Sequence, residues 1–142
     1  MLTDTANRVP GQIALIYGNK RTTYSELAHK VGLLANRLSS LGIERGDAVV
    51  ILLRNTPEFV SSFYALASLG ARAVPLNPQY RLEELKSYFS HLSIRAIIAN
   101  VSHTNVYEEL LAPWPVSTVR LTGDSHDTNT ALVLYARKQF VT

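Results

Sequence analysis

Four histidines and one polar loop hold the residues of this 142-residue sequence that could support catalysis. The loop Asp124-Ser125-His126-Asp127 contains the three residue types of a hydrolase triad. Consecutive residues cannot place a nucleophile, a base and an orienting acid in one hydrogen-bonded row, so we interpret the loop as a solvated turn. None of the histidines lies one helical turn from another, and no carboxylate pair accompanies them at metal-ligand spacing: His29, His91, His103 and His126. We therefore predict no catalytic residue and no metal site in this chain.

Several kinds of cofactor chemistry are excluded by what the sequence lacks. It contains no cysteine, which excludes disulfides, thiolate metal sites and cysteine nucleophiles. Its seven glycines include no pair at the spacing of a dinucleotide fingerprint, and no glycine is followed by the Lys-Ser or Lys-Thr of a phosphate loop. We expect this chain alone to bind no cofactor.

Charge and hydropathy limit the classes of partner. The 14 Lys and Arg residues exceed the 11 Asp and Glu residues by three, but they are spread along the chain, with adjacent pairs only at 20–21 and 137–138. A nucleic-acid-binding protein concentrates its positive charge, so we expect no nucleic-acid partner. The longest apolar runs, 48–53 and 63–69, are far shorter than the roughly 20 residues that span a bilayer. The start of the sequence lacks the pattern of a signal peptide, and we expect a cytoplasmic protein without a membrane span.

Strand-like and helical patterns alternate along the chain, which is typical of an α/β fold with a mostly parallel sheet flanked by helices. Residues 13–17 and 21–23 form a predicted N-terminal β-hairpin around the turn Gly18-Asn19. The later segments are predicted as helices at 24–41, 57–69, 82–92 and 105–111, and as strands at 48–53, 72–76, 95–99 and 116–121. We expect one domain over 1–142, with a tail at 122–142 in which 131–141 fits either a strand or a helix.

Local signals mark the ends of the first two long helices. Thr23 and Glu26 have the spacing of a capping box, and Gly42 can close the same helix in the left-handed conformation. Either Asn55 or Thr56 can cap the second helix, which Gly70 ends.

Five ordered blocks of sequence across about 9–99 resemble the start of an adenylate-forming enzyme, the superfamily of acyl-CoA synthetases, peptide-synthetase adenylation domains and luciferases. The blocks are Arg21-Thr-Thr-Tyr24-Ser-Glu26-Leu27, Leu41-Gly-Ile-Glu-Arg-Gly46-Asp47, Asn55-Thr-Pro57-Glu58-Phe59, Leu69-Gly70-Ala71-Arg-Ala-Val74-Pro75-Leu76-Asn77-Pro78, and Tyr80 with Glu83-Glu84-Leu85. Within them, the form Val74-Pro-Leu-Asn-Pro78 is more similar to an acyl-CoA synthetase than to an amino-acid adenylation domain. The resemblance implies a partial N-terminal lobe of the adenylate-forming fold.

The family reaction implied by this resemblance converts a carboxylic acid and ATP to an acyl-adenylate and pyrophosphate, after which coenzyme A displaces AMP to give a thioester. ATP, magnesium and coenzyme A are thus implied for the complete family. The phosphate loop, the nucleotide contacts and the catalytic lysine of the family do not occur in this sequence. Near the mouth of the coenzyme A channel, the candidates are Lys86, Tyr88 and His91.

Three functions follow as hypotheses. The chain is an N-terminal fragment or truncated homologue of an AMP-dependent acyl-CoA synthetase that is not active alone, a subunit of a split ligase completed by a second chain, or a non-catalytic binding module on the same scaffold. The expected partner is a complementary C-terminal ligase portion or, in all three cases, a second copy bound through an exposed apolar face.

Overall fold

The computed structural model describes residues 2–91, 94–100, 116–121 and 130–135. The helices are α1 (Leu2–Arg8), α2 (Tyr24–Ser40), α3 (Pro57–Ser68) and α4 (Leu82–His91), and the strands are β1 (Ile13–Tyr17), β2 (Lys20–Thr23), β3 (Ala48–Leu52), β4 (Arg72–Pro75), β5 (Ile94–Asn100), β6 (Val116–Arg120) and β7 (Thr130–Tyr135). The predicted alternation of strands and helices and the N-terminal hairpin are confirmed.

The strands form a two-stranded sheet and a five-stranded sheet. β1 and β2 pair antiparallel, as the hairpin prediction required. The larger sheet has the order β4-β3-β5-β7-β6, and its first three strands run parallel. β7 runs antiparallel to both β5 and β6, an arrangement that the sequence did not predict. The α/β class is confirmed, with a parallel three-stranded half that carries the helices.

Helices cover both faces of the parallel half because the two crossovers run in opposite directions along the sheet, from β3 out to β4 and from β4 back past β3 to β5. Right-handed β3-α3-β4 and β4-α4-β5 connections must then lie on opposite faces. The buried side chains show this division. Val49 and Ile51 pack on the side of α2 and α3, whereas Val50 and Leu52 pack with Leu85 of α4. All five residues of β3 are buried, as expected for a strand covered on both faces.

The predicted ends of α2 are confirmed in atomic detail. Thr23 Oγ1 accepts from the Glu26 N–H at 3.1 Å, and Glu26 Oε1 accepts from the Thr23 N–H at 3.2 Å. At the other end, Gly42 has a φ of 100°. The Ile43 N–H donates to the Leu38 carbonyl at 3.1 Å, the bond that defines a Schellman motif.

For α3, the N-cap is Thr56, whose hydroxyl accepts from the Phe59 N–H at 3.3 Å.

Helix α1 was not predicted. Within the segment 131–141, which fitted either a strand or a helix, residues 131–135 belong to strand β7. The predicted helix at 105–111, the polar segment 122–129 and residues 136–141 lie outside the described residues. Among the residues described, no helix is both long enough and apolar enough to cross a membrane.

Candidate functional site

The carboxyl ends of β3 and β4 border a crevice of about 510 Å³. Two loops and the first turn of α3 form its walls, and the lining residues are Leu53, Arg54, Asn55, Phe59, Pro75, Leu76, Asn77, Pro78 and Gln79. In open α/β sheets, ligands bind outside the carboxyl ends of parallel strands, so this is the expected position for a binding site. The volume falls within the range of about 300–1,000 Å³ found for small-molecule sites.

The first wall is shaped by the turn from β3 into α3. The Thr56 hydroxyl donates to the Arg54 carbonyl at 3.2 Å while it caps α3 through Phe59. Because these two bonds fix the turn, Arg54 and Asn55 remain exposed at the end of the strand and Phe59 faces the crevice. The cap that begins the helix thus also positions this wall.

The second wall is the loop from β4 to α4. The Leu76 N–H donates to the Ile51 carbonyl at 3.0 Å, which extends the parallel pairing by one residue beyond β4. The Asn77 side-chain oxygen accepts from the Gln79 N–H at 2.9 Å, and the Tyr80 N–H donates to the Asn77 carbonyl at 3.1 Å. Asn77 therefore turns the chain away from the sheet and holds Gln79 at the rim.

The chemistry of the crevice is that of binding. Five of its nine lining residues are apolar, three carry amides and one, Arg54, is cationic. None of the nine is acidic, and none has a side chain that titrates near neutral pH. The lining can hold an amphipathic molecule and attract an anionic group to Arg54, but it supplies no general acid or base.

The structure separates the three candidates predicted on α4. Tyr88 stacks on Tyr80, with ring centroids 5.5 Å apart and an angle of 7° between the rings. Lys86 is exposed and lies about 200° around the helix axis from Tyr88, so the two do not share a face. His91 is the last residue of α4, and its side chain lies outside the described part of the structure.

The tyrosine pair connects α4 to the crevice, because Tyr80 directly follows Gln79 in the chain. Hydrogen bonding with the Tyr88 hydroxyl, followed by the charge of that neighbour, raises the pKa of Tyr80. The Tyr80 hydroxyl therefore stays protonated at neutral pH and can act as a hydrogen-bond donor. Tyr80 is partly buried and packs against the core cluster that contains Leu85.

The residue patterns did not predict the crevice itself. A signal was available, since Asn55-Thr56-Pro57 and Asn77-Pro78 each follow a predicted strand. The carboxyl ends of neighbouring parallel strands meet at one edge of a sheet, which is where these segments lie. In the part of the chain that the structure describes, no group of three or more His, Asp or Glu side chains is arranged to hold a metal ion.

The sequence profile of the family described as AMP-binding enzyme matches residues 2–140 of this chain. The chain therefore belongs to the AMP-binding enzyme family, and the resemblance found over 9–99 extends across nearly the whole sequence. Its counterparts are adenylate-forming ligases for acyl and aryl acids, whose N-terminal region it matches.

Three relatives illustrate the match. The vibriobactin-specific 2,3-dihydroxybenzoate-AMP ligase of Vibrio cholerae is 30% identical over 134 residues, which is 90% of this chain and 25% of that protein. The O-succinylbenzoate coenzyme A synthetase of Bacillus subtilis, solved in complex with AMP, has a TM-score of 0.72 and 29% identity over 76% of this chain and 29% of the other. The NpsA N-terminal subdomain of Klebsiella oxytoca has a TM-score of 0.67 and 30% identity, and the match covers 69% of this chain and 26% of the other. The chain spans about a quarter of the length of the curated relatives it matches.

Proposed function

We propose that this chain supplies the N-terminal scaffold of an AMP-forming ligase that activates a carboxylic acid with ATP and transfers the acyl group to coenzyme A. The observation that carries the proposal is the crevice at the carboxyl ends of β3 and β4, built on a parallel sheet that resembles a coenzyme A synthetase. The form of the segment 74–78 favours a coenzyme A ligase over an amino-acid adenylation domain.

The role of this chain in the proposed ligase is to bind and orient. Acyl activation requires charged groups around the acid carboxylate and the α-phosphate of ATP. The described residues do not fit ATP with magnesium, since they form no cluster of carboxylates for the ion, and the sequence holds no phosphate loop. We derive no chemical step from this chain alone.

Coenzyme A is the ligand that the residues of this chain fit better. Its phosphates are anionic, and Lys86 and Arg54 are exposed cations on α4 and at the crevice. Tyr88 of α4 stacks on Tyr80, which precedes that helix, and the two rings carry hydroxyl groups on another side of α4 from Lys86. We propose that these groups contact coenzyme A only when the rest of a ligase holds the molecule in place, because two exposed cations alone give weak attraction in water.

The test is acid-dependent exchange of pyrophosphate into ATP, measured for the chain alone and for the chain mixed with the remaining portion of a related ligase. We expect background exchange from the chain alone and exchange above background in the mixture. The mixture should lose activity when either component is omitted. Exchange by the chain alone contradicts the proposal.

A matched variant makes the assay specific to α4. In the active mixture, Lys86→Gln should raise the KM for coenzyme A several-fold and leave the adenylation step unchanged. The control Lys30→Gln changes a lysine on α2 and should alter neither step. Equal effects of the two variants would contradict a role for Lys86. If the mixture shows no pyrophosphate exchange, and the chain alone is monomeric and as soluble as it is in the mixture, the result would favour the non-catalytic module.

A further inference from the structure

Two tyrosine rings lie face to face beside the crevice. The rings of Tyr80 and Tyr88 have centroids 5.5 Å apart, are inclined by 7°, and are joined by a hydrogen bond between their hydroxyls. Because the rings are parallel and the hydroxyls meet, the ring carbons next to each hydroxyl, the ortho carbons, are neighbours. In the part of the chain that the structure describes, the other ring contact joins Phe63 and Tyr64, and a phenylalanine ring carries no hydroxyl to oxidise.

Oxidants have access to this pair. Tyr88 is 42% exposed, whereas Tyr80 is partly buried. The exposure of Tyr88 leaves its ring room to turn out of the stack, and the torsion at the ring has only a broad preference. Competing targets within the chain are few, since oxidants otherwise act on cysteine and methionine, and the sequence has no cysteine and one methionine.

We propose that Tyr80 and Tyr88 are a site of oxidative modification, at which a peroxidase and hydrogen peroxide couple the two rings into a dityrosine within one chain. The peroxidase removes one electron and one proton from each hydroxyl. The two phenoxyl radicals form one carbon–carbon bond between ortho carbons. The hydrogen on each of those carbons then leaves as a proton while each oxygen regains one, which restores both hydroxyls. Hydrogen peroxide takes up the two electrons and two protons and becomes two molecules of water.

The new bond joins one wall of the crevice to α4. Tyr80 directly follows Gln79 at the rim, and its N–H donates to the Asn77 carbonyl in the same loop. Tyr88 lies in the second half of α4. A covalent bond between the two closes the intervening segment into a loop and removes conformations in which the wall moves away from the helix. Oxidation therefore fixes the position of this wall.

The test is oxidation of the full chain with a haem peroxidase and hydrogen peroxide, followed by tryptic digestion and mass spectrometry. Trypsin cleaves twice between the two tyrosines and places Tyr80 in peptide 73–81 and Tyr88 in peptide 87–95. We expect these two peptides to be joined with the loss of two hydrogen atoms. A mixture of unlabelled chains and chains labelled with heavy nitrogen identifies the origin of the bond. Coupling within one chain gives joined peptides that are both light or both heavy, and coupling between chains gives mixed pairs.

Two variants make the test specific to this pair. Tyr88→Phe keeps the ring without its hydroxyl and should abolish the joined peptides. Tyr17→Phe is the matched control, because Tyr17 is 53% exposed and lies on β1. It should give as much of the joined peptides as the parent chain, and far-UV circular dichroism verifies that both variants fold. After oxidation, the amides of residues 79–82 should exchange hydrogen more slowly in the parent chain and at an unchanged rate in Tyr88→Phe.

Three results would overturn the proposed modification site: no joining of peptides 73–81 and 87–95, joined peptides that are mainly mixed pairs, or equal loss of the product in Tyr17→Phe and Tyr88→Phe. Unchanged amide exchange in 79–82 after coupling would overturn the proposed effect on the crevice wall. This inference does not depend on the proposed ligase function.

Discussion

A buried ion pair at the amino end of the sheet gives the sharpest prediction about stability. Arg95 Nε lies 3.9 Å from Asp47 Oδ2, and the two side chains are only 5% and 11% exposed. The same carboxylate oxygen accepts from the Glu44 N–H at 2.8 Å, and the Asp47 carbonyl accepts from the Arg72 N–H at 2.8 Å. Asp47 thus connects the start of β3 with the starts of β4 and β5.

The position of Arg95 depends on a β-bulge. Ala48 pairs with Ile94 and the next residue, Val49, pairs with Ala96, so Arg95 is an extra residue in β5. The bulge also explains why Ile94 packs on the α4 face while Ala96 packs on the opposite face. Bulges redirect side chains in this way, and here the guanidinium is directed at Asp47.

Asp47→Asn removes the charge but keeps an oxygen that can accept from the Glu44 N–H. The buried guanidinium of Arg95 then loses the charge of Asp47, and removing one partner of a buried pair costs about 3–5 kcal/mol. A domain of nearly 150 residues loses about 3 °C in Tm for each kcal/mol, so the expected decrease is about 9–15 °C. Thermal and urea unfolding followed by far-UV circular dichroism measure both quantities.

The double variant Asp47→Asn/Arg95→Met separates charge from packing. It removes both charges of the pair, and we expect it to recover about 2 kcal/mol relative to Asp47→Asn. Arg72→Met is the control, since Arg72 is exposed and its Nε lies 3.4 Å from the Gly46 carbonyl. It should change stability by no more than about 0.5 kcal/mol. An Asp47→Asn effect as small as this control, or a double variant less stable than Asp47→Asn, would refute the reasoning.

Three further predictions concern the interior of α2 and the ends of α2 and α3, and they are measured by thermal unfolding. Gly32→Ala should stabilise the protein by about 1 kcal/mol, because an added Cβ in α2 meets nothing within 4 Å. Gly70→Ala should destabilise the protein by at least as much, because Gly70 has a φ of 71°. Two stability changes of the same sign would contradict this pair of predictions. Thr56→Ala should cost about 1 kcal/mol through loss of the N-cap of α3, and Thr56→Ser should restore most of it. Hydrogen bonds from the Thr23 backbone and side chain lower the pKa of Glu26 below its ordinary value of 4.5. The stabilisation by the Glu26 carboxylate is therefore complete above pH 4.5 and is lost as the pH falls through the lowered pKa. Glu26→Gln should remove that part of the acid sensitivity, and an unchanged dependence of stability on pH would count against the capping box.

The features that the sequence predicted well are those set by local chemistry. The capping box of Thr23 and Glu26 and the left-handed Gly42 depend on residues within six positions of one another, and both are confirmed. The burial of β3 on both faces follows from its uninterrupted apolar run. Helix α1 was not predicted, because seven residues with one buried side chain give little periodicity.

The features that were not predicted depend on contacts between distant segments. The antiparallel direction of β7 is a property of its pairing with β5, and the apolar run that contains β7 is compatible with either direction. The Arg95 bulge likewise exists only relative to the register of β3. The crevice joins two loops about 20 residues apart, and their proximity follows from the parallel order of β3 and β4, not from either loop alone.

Isothermal titration of ATP with magnesium, and then of coenzyme A, into the purified chain tests the central claim most directly. The proposed scaffold role predicts no saturable heat with either ligand, because this sequence holds no phosphate loop and the cations of α4 and the crevice are exposed. Saturable binding of ATP by the chain alone would contradict the claim and would place a nucleotide site within these 142 residues.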